Sequence, residues 1–228
     1  MNSEIWRDFA EQLAADYQVT CIDLPGHGRS EKLSPFTLAS VCEVLAESTV
    51  NKPCCWLGWS LGATIALAMA KRFPERCHSL ILLAGSPRFI QASDWPGVNP
   101  QVFKAFTASL KADSLTTVQR FFSLQLGINH YQKLMADVNY RVPDEGTLFE
   151  ALKILQQSDL RGALAHLKLP VSVILGANDS LIPVAAGQRM QALHPGLELN
   201  TIDSAGHAPF LTHPKEVLSI IKRFLDQQ

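Results

Sequence analysis

The sequence lacks a long apolar run, a secretory signal and any cysteine spacing typical of a zinc site. Among its 228 residues the longest apolar stretch, Leu61 to Ala70, is too short to span a bilayer. The first residues contain no apolar segment of the kind found in signal peptides. The five cysteines are odd in number and include no C-x-x-C pair. We therefore expect a cytoplasmic protein without a membrane anchor, a disulfide framework or a bound metal.

An excess of charge of one sign is also missing. The chain has 20 Lys and Arg against 21 Asp and Glu, so its formal net charge is −1. A near-neutral chain argues against a general role in binding polyanions, although it leaves room for a local basic patch. We therefore expect no nucleic-acid partner.

What the sequence does contain is a series of short apolar runs that alternate with helical patterns. A length of 228 residues suits one core domain with a modest insertion. Two of the runs, Ser79–Ala84 and Val171–Leu175, are continuously apolar, which is typical of parallel strands covered on both faces. The alternation of strands with helices predicts a mostly parallel, doubly wound α/β sheet. The predicted strands are Val19–Leu24, Cys54–Gly58, Ser79–Ala84, Val171–Leu175 and the weaker Leu199–Ile202, and the predicted core helices are Leu38–Ser48, Leu61–Phe73 and Pro214–Leu225.

One stretch, from residue 86 to residue 164, contains no convincing strand. Its helical patterns cover Pro100–Leu110, Leu115–Leu126, Tyr131–Asn139 and Gly146–Gln157. A helical insertion after a core strand predicts a lid over the carboxyl edge of the sheet, where α/β proteins bind their ligands. We therefore divide the chain into a core of residues 1–85 and 165–228 and a helical lid of residues 86–164.

The segment Gly58–Gly62 fits the pattern G-x-S-x-G, with Ser60 at its centre. A predicted strand precedes it and a predicted helix follows, which is the context that a nucleophile elbow requires. Such a turn holds the serine in an unfavourable backbone conformation at the N-terminus of a helix, where N–H groups stabilise negative charge. The pattern therefore predicts Ser60 as a nucleophile and the N–H of Leu61 as one donor of an oxyanion hole.

A serine hydroxyl needs a base and an orienting acid, and in this fold they follow the serine in the order acid, then His. Asp179 comes just after the predicted strand Val171–Leu175, and His207 comes just after Leu199–Ile202. We therefore predict a triad of Ser60, His207 and Asp179. Asp179 lies in Asn-Asp-Ser, which is also good turn chemistry.

Other residues compete for the roles of acid and base. Asp203 lies close to His207 but reads as a loop residue at a strand end, and Asp159 reads as a capping or ion-paired residue. The remaining histidines lack the Gly-His context after a late strand: His27, His78, His130, His166, His194 and His213.

Four segments together resemble the pimeloyl-acyl carrier protein methyl ester carboxylesterases of biotin synthesis. They are Trp56–Gly62, Asp23–Ser30 (DLPGHGRS), Asp94–Gly97 (DWPG) and His207–Phe210. The DLPGHGRS segment is common among α/β-hydrolases, whereas Gly58–Gly62 (GWSLG) and Trp95–Gly97 (WPG) are more specific. The resemblance covers essentially the whole chain. It implies a cofactor-free serine carboxylesterase that hydrolyses the methyl ester of a pimeloyl chain carried on acyl carrier protein.

By the same resemblance, Phe121 and Gln125 of the lid contact the substrate, together with Ser60, Leu61 and His207. From the residues alone, Phe121 and Phe122 read as ordinary packing within the lid. The family's lid is basic, which suits an acidic carrier protein. Candidate cations here are Lys104, Lys111, Arg120, Lys133 and Arg141, although scattered cations are usually only a solvated face. We also expect a monomer that accepts small ester substrates.

The sequence departs from this family at its beginning. The family carries an earlier strand that ends in a His-Gly loop, which supplies the second N–H of the oxyanion hole. We expect that strand and loop to be missing before Asn2, and His27-Gly28 follows a later strand and cannot substitute. Loss of one oxyanion donor lowers the rate by roughly 10²–10³-fold. We hypothesise that Met1 is an internal methionine of a longer protein.

Three alternatives stay open at this point. The first is a general short-chain esterase, and the second is another hydrolase on the same scaffold, such as a lactonase or a carbon–carbon bond hydrolase. The third is an inactive remnant that lacks part of the oxyanion hole. A triad alone does not separate them, because specificity depends on the pocket rather than on the fold.

Overall fold

A parallel sheet of four strands forms the centre of the molecule. The computed structural model describes residues 2–49, 52–127, 131–132 and 143–228. The strands lie side by side in chain order: β1 (Cys54–Trp59), β2 (Cys77–Leu83), β3 (Val171–Gly176) and β4 (Glu198–Ile202). All three ladders are parallel, so the carboxyl ends of the strands meet at one edge of the sheet.

Helices connect the strands and cover the sheet. Those of the core are α1 (Arg7–Ala14), α2 (Leu38–Ser48), α3 (Leu61–Arg72), α7 (Arg161–His166), α8 (Val184–Leu193), α9 (Pro209–Thr212) and α10 (Pro214–Leu225). Those between residues 86 and 160 are α4 (Pro100–Ala112), α5 (Ser114–Leu126) and α6 (Glu145–Gln157). Short 3₁₀ turns occur at Ser3–Trp6 and Pro74–Arg76.

Alternate residues of the central strands bury side chains on opposite faces of the sheet. Leu80 and Leu82 of β2 pack in a cluster with α2, α3, α7 and α8, whereas Ile81 and Leu83 pack in a cluster with α1, α10 and, from the predicted lid, α4 and α5. All four of these leucine and isoleucine side chains are at most 1% exposed. The predicted arrangement, a parallel sheet with helices on both faces, is therefore confirmed.

Side-chain caps mark where several helices begin. Thr37 accepts a hydrogen bond from the N–H of Ser40 and forms a capping box at the start of α2. Asn99, Asp113 and Asp144 cap α4, α5 and α6 in the same way, through their side-chain oxygens. The observed starts of the lid helices therefore agree with the predicted ones to within one residue.

The prediction of a strand at Val19–Leu24 is wrong. In the part of the chain that the structure describes, no neighbouring segment forms a ladder with these residues, and they belong to no strand. A strand needs backbone partners as well as apolar residues. Cys21 is exposed here, and Val19 is 37% exposed, so these two residues do not pack as core side chains.

The segment between β2 and β3 contains no strand in its described residues, only two isolated bridges. Most of the predicted helix Tyr131–Asn139, together with Lys133 and Arg141, lies outside the described residues. Sequence patterns missed α1, α7, α8 and α9, which are short or weakly periodic. No helix in the described part of the chain is long and apolar enough to cross a membrane.

Candidate active site

Ser60 occupies the turn between β1 and α3 in a strained conformation. Its φ is 55° and its ψ is −115°, a backbone region that L-residues rarely adopt. A Cβ at Gly58 would clash with the carbonyl oxygen of Gly62, so the strand and the helix approach this closely only because residue 58 is glycine. A Cβ at Gly62 would meet nothing within 4 Å, so space does not require the second glycine.

His207 lies within hydrogen-bonding distance of Ser60. The distance from His207 Nε2 to Ser60 Oγ is 2.8 Å. The His207 side chain is only 1% exposed, whereas Ser60 is half-buried and open to a reacting group. The imidazole is thus close enough to accept the hydroxyl proton directly.

Asp179 completes the chain of hydrogen bonds. Its Oδ2 lies 2.9 Å from His207 Nδ1, and its Oδ1 accepts hydrogen bonds from the N–H groups of Leu181 and Ile182 at 2.8 and 3.0 Å. The carboxylate is an acceptor only, so Nδ1 carries the ring proton. Nε2 is then left as the acceptor for the Ser60 hydroxyl.

Close backbone contacts join the two loops that carry Asp179 and His207. The N–H of Asn178 donates to the carbonyl of Ala205 at 2.9 Å. A Cβ at Gly176, the last residue of β3, would clash with the carbonyl oxygens of Ala205 and Gly206. Sequence reasoning missed this role of Gly176, since a glycine at a strand end resembles any turn glycine.

The N–H of Leu61, the predicted oxyanion donor, lies at the start of α3. Leu61 is the first residue of α3, so its N–H has no acceptor within the helix, and the positive end of the helix dipole lies beside Ser60. In the loop that contains His27, the ring Nδ1 of that residue lies 3.0 Å from the carbonyl oxygen of Pro25. In the described residues no hydrogen bond joins that loop to the triad.

The predicted lid residues occupy different positions relative to the triad. Phe121 lies on α5 and packs against Phe106 and Phe122 of the lid, with ring centroids 5.3 and 5.2 Å apart. Gln125, near the end of α5, lines a cavity of about 520 Å3. The other residues that line it are Leu124, Leu126, Gly127, Asn178, Ser180, Ser204, Gly206, Thr212 and His213. The last turn of α5 therefore faces the loops that carry the acid and the base.

An ion-pair network links the segment that enters the lid, at Arg88 and Asp94, to the segment that leaves it, at Asp159 and Arg161. Sequence reasoning largely missed this network. Asp159 pairs with Arg88 at 2.8 Å and with Arg161 at 2.7 Å, and Arg161 also pairs with Asp94 at 2.7 Å. The Arg161 guanidinium lies 5.6 Å from the ring centroid of Trp95. Hydrogen bonds from Arg161, and secondarily from Arg88, hold the pKa of Asp159 well below its usual range despite partial burial.

In the described residues, neither competing acid forms a hydrogen bond with Ser60 or His207. Asp203 is exposed, and Asp159 belongs to the network at the base of the lid, as its reading as an ion-paired residue predicts. Within residues 2–49, 52–127, 131–132 and 143–228, no cluster of His, Cys, Asp and Glu side chains is arranged to hold a metal ion.

A parallel α/β sheet with a strained serine at a strand-to-helix turn, hydrogen-bonded to a histidine and an aspartate on later loops, defines a serine hydrolase of the α/β type. The model of the α/β hydrolase fold family matches residues 1–214. Solved structures agree on the fold: an esterase from Thermogutta terrifontis superposes with a TM-score of 0.82 and a hydrolase from Oleispira antarctica with 0.87. The Thermogutta esterase is 20% identical to this chain, and the Oleispira hydrolase is 19% identical. Each match covers 100% of this chain, together with 86% of the esterase and 88% of the hydrolase.

Curated relatives place the chain more narrowly. It is 37% identical to the pimeloyl-[acyl-carrier protein] methyl ester esterase of Methylococcus capsulatus, over 99% of this chain and 91% of that protein. It is also 37% identical to the protein of the same name from Aliivibrio fischeri, over 100% and 90% of the two chains. The chain belongs to this family of α/β-hydrolase esterases.

Proposed function

We propose that this protein hydrolyses a carboxylic ester with Ser60 as nucleophile, His207 as general base and acid, and Asp179 as the group that orients His207. The observation that carries this proposal is the hydrogen-bond chain from Ser60 Oγ through both ring nitrogens of His207 to Asp179 Oδ2, with distances of 2.8 and 2.9 Å. A strained, half-buried serine next to a buried base is the arrangement that nucleophilic catalysis needs.

The geometry supports a two-step reaction. In the first step Ser60 Oγ attacks the ester carbonyl while His207 Nε2 takes its proton, and the oxyanion lies against the N–H of Leu61. His207 then gives the proton to the departing alkoxide, which leaves as an alcohol. In the second step water attacks the acyl-enzyme by the same route and releases the acid. Throughout, Asp179 stabilises the imidazolium that forms.

The substrate that the family relationship favours is the methyl ester of a pimeloyl chain attached to acyl carrier protein. The support is the shared name of relatives that match almost the whole chain at 37% identity. Methanol would leave and the free carboxylate would end chain elongation in biotin synthesis. Phe121 and Gln125 would line the acyl channel, and the exposed Lys104, Lys111 and Arg120 would attract an acidic carrier. We also propose that the protein acts as a cytoplasmic monomer.

The test is a direct assay with pimeloyl-acyl carrier protein methyl ester, run beside a panel of p-nitrophenyl esters. We expect the carrier-bound ester to have the highest kcat/KM and Ser60→Ala to abolish both hydrolysis and labelling by a fluorophosphonate. A higher kcat/KM on the short esters would contradict the carrier-bound substrate and leave a general esterase. Absence of labelling in the folded wild-type protein would contradict the enzyme itself.

A further inference from the structure

Trp59 connects the nucleophile and the base of the proposed triad. It is the last residue of β1 and directly precedes Ser60. Its indole Nε1–H donates a hydrogen bond of 2.7 Å to the backbone carbonyl of His207. The indole and imidazole ring centroids lie 5.8 Å apart. One side chain, one peptide bond away from the serine, therefore contacts the residue that carries the imidazole.

We propose that Trp59 is a positioning residue for His207, an inference that rests on the proposed function. Because β1 is paired along its length with β2, the Trp59 backbone is a rigid reference point. The indole hydrogen bond restrains the loop between β4 and α9 relative to that strand, although the two residues are 148 positions apart in the sequence. It thereby sets the distance from Nε2 to Ser60 Oγ, on which proton transfer depends.

The His207 carbonyl depends on this donor. His207 is 1% exposed, and in the part of the chain that the structure describes its carbonyl oxygen accepts no other hydrogen bond. A buried carbonyl without a partner is costly, so removal of the indole N–H favours a shift of the loop toward water. The loop lies outside regular secondary structure, and its close backbone contacts with the Asp179 loop involve Ala205 and Gly206 rather than the carbonyl of His207.

Aromatic packing holds the indole in the orientation that the hydrogen bond needs. Phe210, three residues after the base, packs edge-on against Trp59 with a centroid distance of 5.1 Å. Phe210 also stacks on Trp6 at 4.2 Å. These contacts restrain the plane of the Trp59 ring without involving its N–H group. Replacement of Trp59 by Phe should therefore keep much of the packing while it removes the donor.

Trp56 provides a matched control on the same strand. Its indole Nε1–H also donates to a backbone carbonyl, that of Arg76, at 3.1 Å. Arg76 belongs to the 3₁₀ turn before β2, so this bond lies at the opposite end of the strand from Ser60. Trp56→Phe thus removes the same type of hydrogen bond from β1 and leaves the contacts of the His207 loop unchanged.

The experiment compares the kinetics of Trp59→Phe and Trp56→Phe on p-nitrophenyl esters from acetate to hexanoate. If Trp59 positions the base, Trp59→Phe lowers kcat about ten- to a hundredfold on every ester with little change in KM. Its rate of fluorophosphonate labelling falls by a similar factor, because Ser60 activation also requires His207. Trp56→Phe keeps the wild-type kcat, and both variants lose similar thermal stability.

Two results would overturn the proposal. One is a wild-type kcat in folded Trp59→Phe. The other is an intact kcat with a KM change that grows with acyl length, because that pattern means Trp59 only lines the acyl channel. If Trp59→Phe does not fold, 3-benzothienylalanine at position 59 replaces the N–H by sulfur and keeps the ring shape, so the same comparison is made with that variant.

A structural measurement separates this inference from the proposed function. In NMR spectra of the wild-type protein, the Trp59 indole N–H should exchange slowly, and loss of that group should shift the His207 ring signals. This result is expected whether or not any ester is hydrolysed. Unchanged His207 ring signals in the benzothienyl protein would refute the positioning role, whereas an inactive wild-type protein would count only against the proposed function.

Discussion

Two regions of the molecule are held together by different kinds of interaction. One is the pair of loops that carry Asp179 and His207, and the other is the ion-pair network around Asp159, where the lid joins the core. His207 and Asp179 have side chains that are 1% and 0% exposed, and their loops are joined by backbone hydrogen bonds and by close contact at Gly176. In the network around Asp159, Arg161 forms an ion pair with Asp94, and their own side chains are 24% and 67% exposed. Water therefore reaches the ion pairs but not the hydrogen bonds of the acid and the base.

This difference predicts different responses to mutation and to solvent. Buried hydrogen bonds are little screened, and the loss of one partner leaves another polar group unsatisfied. Exposed ion pairs are screened by salt and contribute little each. Changes in the triad loops should therefore alter catalysis strongly, whereas changes at the base of the lid should alter stability slightly.

The largest effect is expected for Asp179→Asn. The amide donates where the carboxylate accepted, so His207 adopts the wrong tautomer and Nε2 no longer accepts the Ser60 proton. We expect kcat to fall by about 10⁴-fold, as in another triad that carries the same change of its acid. Steady-state hydrolysis of a p-nitrophenyl ester measures it. Asp203→Asn, an exposed carboxylate close to His207 in sequence, should stay within about twofold because it lies outside the triad.

An intermediate effect is expected for Asp159→Asn, which removes the shared acceptor of Arg88 and Arg161. The free energy of unfolding should fall by about 1 kcal/mol, since the pairs are partly exposed. Urea denaturation measures the change, and kcat should be unaltered. Glu43→Gln, which breaks an isolated surface pair with Arg72, should cost less. A large fall in kcat for Asp159→Asn would mean that the two regions are coupled and would break the comparison.

The smallest effect is the pH dependence of the difference in unfolding free energy between the wild-type protein and Asp159→Asn. The pKa of Asp159 is lower in the folded state than its value of about 3.9 in an unfolded chain, so the folded state binds fewer protons. Its contribution to stability is therefore present above about pH 4 and is lost as the pH falls toward the folded pKa. The difference in unfolding free energy between the wild-type protein and Asp159→Asn should be constant from about pH 5 to pH 8 and shrink below about pH 4. If the difference in unfolding free energy grew on acidification, the pKa of Asp159 would be raised by folding rather than lowered.

Local patterns predicted much of the fold because periodicity and caps act over a few residues. The bounds of α2 and α10 agree with the predicted ones, and the strand that leads to Ser60 was predicted to within one residue. Val19–Leu24 shows where such reasoning fails, since the same apolar run forms a strand only if another segment pairs with it. Helix α8 was missed because it has only a weak apolar periodicity.

By itself the sequence determined the identity of the candidate residues, because the order Ser60, Asp179, His207 follows from where predicted strands end. It also indicated the family, through motifs that are contiguous in the chain. Only the tertiary structure decided that the His207 ring lies 2.8 Å from Ser60 Oγ and 2.9 Å from Asp179 Oδ2. It also revealed the hydrogen bond from Trp59 and the network around Asp159. Those contacts join residues 148 and 71 positions apart, a separation at which no local pattern reports which side chains meet.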